Sequence, residues 1–230
     1  MSVQNEFTKH AKNYNNNNII QQIIAKALIR DINSMPKTIL ELGCGSGQVY
    51  KNIDWEVDFY CAVDFASSMC KLHPRNKKVK VECFDFDSDE FFNFLENQKF
   101  DTVVSASALQ WSKNLSKLVS KLAQSTNSIN AVLFTSNTFK SIQNITNKKS
   151  PILDEDNIRK AFLNSFDCEF EKYTYNLEFD NKKEMFDYIK NSGVSGDSSL
   201  NFKDAKKLYK EYNLNYLEFE VIFVRTISKS

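Results

Sequence analysis

The stretch E-L-G-C-G-S-G, Glu41 to Gly47, sets a carboxylate just ahead of three glycines spaced two apart. Alternating glycines permit positive φ and let backbone N–H groups approach a ligand closely. Two phosphate-binding readings fail on the residues themselves. A P-loop closes in Gly-Lys-Ser/Thr, whereas Gln48 and Val49 follow Gly47. A dinucleotide loop is G-x-G-x-x-G, and the spacing here is G-x-G-x-G. An acid at position 41 repels a pyrophosphate and suits a ligand that carries positive charge.

Two further acids extend the pattern. Asp64 closes C-A-V-D and Asp85 sits in E-C-F-D-F-D, each at the end of an apolar run. A carboxylate at Asp64 can accept from both hydroxyls of a ribose. One at Asp85 can accept from an adenine amino group, with Phe86 covering the ring face. Taken singly, each acid is an ordinary turn residue. Three acids behind one glycine loop, at the tips of consecutive strands, describe a site for a cationic nucleoside. S-adenosylmethionine, with its sulfonium and ammonium groups, is such a ligand; a glycine turn without a ligand is the plain alternative. Phe65, beside Asp64, and Ser105, at the end of a fourth strand, complete the expected cofactor set with Gly43, Gly45 and Gly47.

The elements that must hold these residues are legible from periodicity. Ile19, Ile20, Ile23, Ile24, Ala27, Leu28 and Ile32 fall on one face of a helix, which Met35-Pro36 ends. Strands are expected at Thr38–Leu42, Val57–Val63, Val79–Phe84, Phe100–Ser105 and Ile129–Thr135. Asp87–Gln98 and Asn114–Ser125 have helical length between them. Alternation of this kind predicts a parallel sheet with right-handed crossovers. Further on, Cys168–Phe179 and Tyr216–Ile227 read as long strands and Lys182–Ser192 as a helix. Thr138–Ser150 is polar and reads as a loop, a short helix or a lid. With the glycine loop and the three acids, this alternation resembles the class I S-adenosylmethionine-dependent methyltransferases, which implies an α/β, Rossmann-like fold. It has a mostly parallel seven-stranded sheet, helices on both faces and a C-terminal antiparallel strand. One domain is expected over residues 1–230: a helical cap at 1–35, a cofactor-binding half at 36–136 and an acceptor-side half at 137–230.

Composition narrows the classes. With a net charge of +1, the chain carries no general attraction to nucleic acid or to a membrane surface. Its apolar runs are too short for a bilayer span, and the opening MSVQNEFTKHAKNYNNNN lacks the apolar core of a signal peptide. Five cysteines without a Cys-x-x-Cys pair suggest a reduced, cytoplasmic setting. Two distant histidines, His10 and His73, offer no zinc spacing, and no metal is expected.

From about residue 20 to 136 the sequence resembles the class I S-adenosylmethionine-dependent methyltransferases. Other stretches narrow the likeness. Phe7, Ala11 and Tyr14 followed by Gln21, A-L-Q-W-x-x-N-L at Ala108 to Leu115, and F-T-S at Phe134 to Ser136 resemble the malonyl-acyl-carrier-protein O-methyltransferases of biotin synthesis. So do Met185 to Gly193 and the closing N-Y-L-E-F-E-V-I-F. The region Asn137 to Pro151 departs from that family, being short against its helical insertion over the active site. Trans-aconitate methyltransferase-like proteins share a Gln-Trp stretch and also esterify a carboxylate.

The resemblance implies methyl transfer to the free carboxylate of a malonyl-acyl carrier protein. The sequence leaves the oligomeric state open, with a monomer as one alternative. Such an acceptor is already ionised at neutral pH, so no general base is required. Tyr14 is expected either to fold over the methyl donor or to staple the first helix to the sheet. Gln110 and Trp111 are expected to line the acceptor side. Lys9, His10, Lys113 and Lys140 are candidate donors to the acceptor carboxylate, with solvated surface charge as the alternative. Lysine clusters at Lys148-Lys149, Arg159-Lys160 and Lys203 with Lys206-Lys207 are candidate contacts for an acidic carrier. A nucleic-acid amino-methylase would carry Asp/Asn-Pro-Pro-aromatic after the fourth strand; Ser105-Ala106-Ser107-Ala108 stands there. A cofactor-binding protein without turnover is the non-enzymatic alternative.

Overall fold

A computed structural model describes residues 18–191 and 202–227. Tyr14, Phe7, Lys9, His10 and Ala11 lie outside the described residues, as does Gly193. Among the described residues, the first element is helix α1 (Ile19–Arg30). Strands β1 (Thr38–Leu42), β2 (Phe59–Asp64), β3 (Val79–Cys83), β4 (Thr102–Ala106) and β5 (Ile129–Phe134) follow in turn. Helices α2 (Ser67–Leu72), α3 (Asp89–Leu95) and α4 (Leu115–Leu122) lie between them. After β5 come α5 (Lys140–Thr146), α6 (Glu155–Leu163), β6 (Cys168–Glu178), α7 (Lys182–Asn191), α8 (Phe202–Glu211) and β7 (Tyr216–Thr226).

The strands form one seven-stranded sheet in the order β3-β2-β1-β4-β5-β7-β6. Neighbours from β3 to β5 are parallel, and β7 runs antiparallel to both β5 and β6. This is the expected arrangement, with a strand-order reversal between β1 and β4. An open sheet parts at such a switch point and leaves a crevice at the carboxyl ends of its strands.

Alternation along the strands explains the two faces. Ile39, Tyr60, Ala62 and Val104 join the core under α1, with Ala25 and Ile29. Leu40, Leu42, Cys61, Val63 and Val103 face the other way, toward Phe91 and Leu95 of α3, Leu118 and Leu122 of α4 and Phe162 of α6. A third cluster joins α1 to Ile142, Met185, Tyr188, Leu208 and Tyr212 around the far end of β5 and β7. Strands buried on both faces read as continuous apolar runs, which is why they were legible.

Local signals set the helix ends. Ser88 caps α3 through its side chain, accepting from Phe91 N–H at 3.2 Å. Asn114 does the same for α4 at Lys117 N–H, 3.0 Å. The polar stretch after β5 resolves into α5, a two-turn helix flanked by Phe139 and Asn147 at positive φ of 59° and 55°. Asn tolerates this conformation as a helix stop. Phe139 adopts it because its ring is buried against Phe219, with centroids 4.9 Å apart.

Phe219 is fully buried and also meets Phe134 and Tyr188, each at 6.0 Å between centroids. It joins β7, β5, α7 and the entry to α5. Phe219→Ala is expected to cost about 3–5 kcal/mol, read as a lower urea midpoint at unchanged slope.

Candidate functional site

The glycine loop leaves β1 at the switch point. Gly43, Gly45 and Gly47 have φ of 71°, 50° and 85°. They differ in what a side chain would meet. A Cβ on Gly43 would lie 2.1 Å from Ala108 Cβ, so the loop presses against the turn after β4. A Cβ on Gly47 would lie 2.6 Å from Pro74 Cδ, closing the loop on the segment after α2. At Gly45 nothing lies within 4 Å. The middle of the loop therefore faces open space, while both ends are packed shut.

Backbone and carboxylate bonds hold the loop in place. Gly43 and Cys44 N–H both donate to Val63 O, at 2.8 and 3.0 Å. Gly45 N–H donates to Asp64 Oδ2 at 2.9 Å, and Ala66 N–H donates to Asp64 Oδ1 at 2.8 Å. Each Asp64 oxygen keeps a lone pair for a further donor. Phe65, next in sequence, is 76% exposed at this edge.

Glu41 sits beneath the loop and is 1% exposed. Its Oε2 accepts from the Tyr60 hydroxyl at 2.6 Å and lies 3.6 Å from His73 Nε2. His73 is itself buried, with Nδ1 2.8 Å from Pro74 O. Burial pushes the Glu41 carboxyl above the ordinary carboxylate range; the contacts with His73 and Tyr60 pull it back in part. Burial and the Glu41 charge together hold the Tyr60 phenol well above its usual value. Tyr60 shares the face of Ala62, the residue paired with Glu41 across β1 and β2. That pairing becomes visible only once the strand register is known, which is why sequence reading missed the Tyr60–Glu41–His73 group.

At the third strand tip, Asp85 is exposed, two residues past the end of β3. Its Oδ1 accepts from Asp87 N–H at 2.9 Å and its Oδ2 lies 3.4 Å from Lys113 Nζ. Lys113 is thereby placed beside Asp85, at the third strand tip. Asp87, another residue sequence reading passed over, ties this tip to the turn after β4. It accepts from Ser112 Oγ and Lys113 N–H, both at 2.7 Å. Phe86 differs from expectation: its ring is buried in the core with Phe91 and Phe92, held there by the apolar face of α3.

Ser105 also differs. Its buried hydroxyl donates to Leu42 O at 2.8 Å. The β1–β4 register ends at Glu41 and Val104, so Ser105 satisfies the Leu42 carbonyl that the parting strands would leave open. Its side chain braces the crevice instead of reaching into it.

After β4, a single turn of 3-10 helix spans Leu109–Trp111. Ser107, just before it, has φ of 61°. Gln110 Nε2 donates to Ser107 O at 2.7 Å, which orients the amide. Gln110 Oε1 and Ser107 Oγ are then buried with no hydrogen-bond partner among the described residues. Gln110 is thus presented as an acceptor, while Trp111 is 38% exposed. The segment after β5 is pinned to β7. Thr135 Oγ1 and Asn137 Nδ2 donate to Glu220 Oε1 at 2.5 and 3.0 Å, and Ser141 bonds Glu218. The five cysteines are free, and burial raises the Cys61 thiol to about 12 and the Cys168 thiol to about 11. Neither thiol ionises at neutral pH. Among the described residues no group of three or more His, Cys, Asp or Glu could hold a metal ion, and no helix is long and apolar enough to cross a membrane.

A family model described as a methyltransferase domain matches residues 40–131, the stretch from β1 into β5. The YcgJ protein of Bacillus subtilis superimposes with a TM-score of 0.60 at 12% identity, covering 90% of this chain and 99% of that one. The fold is that of the class I S-adenosylmethionine-dependent methyltransferases, and the matched stretch is similar to a methyltransferase domain. Within that class, the curated relatives it matches are malonyl-[acyl-carrier protein] O-methyltransferases. That of Acetivibrio thermocellus is 31% identical over 141 residues, 57% of this chain and 48% of the relative. That of Haemophilus influenzae is 26% identical over 213 residues, 87% of this chain and 80% of the relative. The chain therefore spans about half the length of the first and most of the second.

The buried acid makes a prediction about pH. Because the folded state holds the Glu41 proton more tightly than the unfolded chain, stability from this group is full below the unfolded value of about 4.5. It falls as pH rises until the buried carboxyl ionises. Glu41→Gln should therefore gain stability relative to the parent as pH rises from 5 to 8. Urea unfolding at intervals across that range checks this; parallel curves would contradict it.

Proposed function

We propose that this chain methylates the free carboxylate of a malonyl thioester carried by an acyl carrier protein, an early step toward the pimeloyl part of biotin. The names of the matched relatives point to this acceptor. The observation that carries the reading is the chemistry of the turn after β4. The groups it leaves without partners are a hydroxyl at Ser107 and an amide oxygen at Gln110, neither of which is a base. An acceptor that must lose a proton would be poorly served here. A carboxylate, with an ordinary pKa near 4, arrives as the nucleophile.

The residues present fit the methyl donor. Asp64 has lone pairs for ribose hydroxyls, and the open space at Gly45 admits a ligand against the loop backbone. Asp85 would accept from the adenine amino group. Glu41, buried below, would contribute negative potential rather than contact. When bound, S-adenosylmethionine supplies a methyl group activated by its sulfonium. Gln110 Oε1 is an acceptor suited to an ammonium or amide N–H. Trp111 would exclude water from the acceptor carboxylate, which raises its reactivity. Tyr14 would close the donor side from the first residues.

The test is label transfer from S-adenosylmethionine to malonyl-carrier protein, with trans-aconitate in parallel. The expected result is transfer to the malonyl thioester, with kcat flat from pH 6 to 9 at saturating donor because no base titrates. Trp111→Ala should lower kcat by about tenfold or more while donor affinity stays within about twofold. Transfer to trans-aconitate alone would reassign the acceptor, and transfer to neither would leave a binding protein.

A further inference from the structure

Charge is unevenly distributed over this nearly neutral chain. Residues 140–149, 182–191 and 202–211 carry ten lysines against four acids, so they hold six net positive charges in a chain of +1. The rest of the molecule therefore carries five net negative charges. These segments are α5 with the turn after it, α7 and α8, and the fold brings them together. Lys148 Nζ lies 2.6 Å from Asp204 Oδ2, and Lys207 Nζ donates to Ile145 O at 2.6 Å, joining α5 to α8. Lys182 Nζ donates to Tyr209 O at 3.0 Å, and the rings of Phe186 and Tyr209 lie 5.9 Å apart, joining α7 to α8.

The position of this surface matters as much as its sign. The carboxyl ends of β1 to β5 carry the glycine loop, the acids and the Gln110 turn. Because β7 is antiparallel to β5, its amino end lies at that same edge, as does the carboxyl end of β6, where Leu177 pairs with Leu217. Helices α7 and α8, which follow β6 and precede β7, therefore join the sheet at the same edge as the crevice. Lys148, Lys149, Lys203, Lys206 and Lys210 are exposed on these segments, and Lys182 Nζ lies 5.8 Å from the ring of Tyr209, which is 60% exposed. An exposed aromatic side chain on a surface of like charge has the anatomy of a docking patch. On the opposite helical face, Lys117 and Lys121 of α4 lie over Phe92 at 4.7 and 6.0 Å from its ring, and Arg159 of α6 pairs with Glu155 at 2.8 Å.

We infer that the α5–α7–α8 surface is the docking face for an acidic carrier protein, which seats against Tyr209 and the exposed lysines and delivers its thioester arm over the sheet edge. This rests on the carrier-linked acceptor proposed above. Asp204 and Glu211, interleaved among the lysines, suit a protein partner better than the uniform negative charge of a nucleic acid backbone.

The test uses the intact chain, the triple variant Lys203→Glu/Lys206→Glu/Lys210→Glu, the independent pair Lys148→Glu/Lys149→Glu and the control pair Lys117→Glu/Lys121→Glu. Methylation of malonyl-carrier protein is compared with that of the short, uncharged-handle thioester malonyl-N-acetylcysteamine, and carrier binding is measured directly. For both patch variants, kcat/KM on the carrier should fall about tenfold or more, through KM, while the short thioester changes less than about twofold. Raising salt should depress the parent's rate on the carrier and flatten for the patch variants. Equal rates on the carrier for parent and patch variants overturn the docking face. If neither thioester is methylated, the proposed function fails, and carrier binding alone then decides the surface: retained in parent and control but lost in patch variants supports it. Binding of single-stranded RNA in place of the carrier overturns it.

Discussion

The site depends on one carboxylate at the end of β2. Asp64 accepts from Gly45 N–H with one oxygen and from Ala66 N–H with the other. Those bonds fix the middle of the glycine loop against the neighbouring strand while leaving the space beyond Gly45 open. Charge-assisted bonds from backbone N–H groups are about twice as strong as neutral ones. The loop can therefore keep three positive-φ residues in a row of alternating positions without a side chain to wedge it. The same carboxylate that shapes the cradle is the one proposed to receive the ribose hydroxyls, so the loop's geometry and its proposed chemistry share one group.

Charge around this tie is layered. Asp64 sits at the rim, Asp85 is exposed at the next tip beside Lys113, and Glu41 lies buried between Tyr60 and His73. Burial makes ionisation of Glu41 costly, and a cation bound above it would offset that cost. A positively charged ligand and the buried acid thus favour each other through linkage. Bracing residues keep the layers in register. Ser105 closes the carbonyl of Leu42 where the strands part, and Asp87 joins the β3 tip to the turn that carries Gln110 and Trp111.

Much of the fold was legible because buried parallel strands announce themselves as apolar runs ending in turn residues. Thr38–Leu42 matches its expected bounds, and the other strands shift by a residue or two. Helix α2 escaped notice because it is six residues long, with Met69 and Leu72 exposed, and so has no apolar stripe to detect. Within the candidate site, residue types at strand ends pointed to Asp64 and the glycines, which the structure brings together through the Gly45–Asp64 bond. Their partners stayed hidden, since Tyr60, His73 and Asp87 act across strands or loops whose register no local pattern encodes. Ser105 and Phe86 were named for their position at strand tips, but side-chain direction turns them inward, one to a backbone carbonyl and one to the core.

The account stands most directly on calorimetric titration of the folded chain with S-adenosylmethionine and, in parallel, S-adenosylhomocysteine. It predicts saturable heat at one site per chain for both, with affinity for the sulfonium form rising more steeply with pH as Glu41 ionises beneath it. A folded chain giving no heat with either ligand would contradict it.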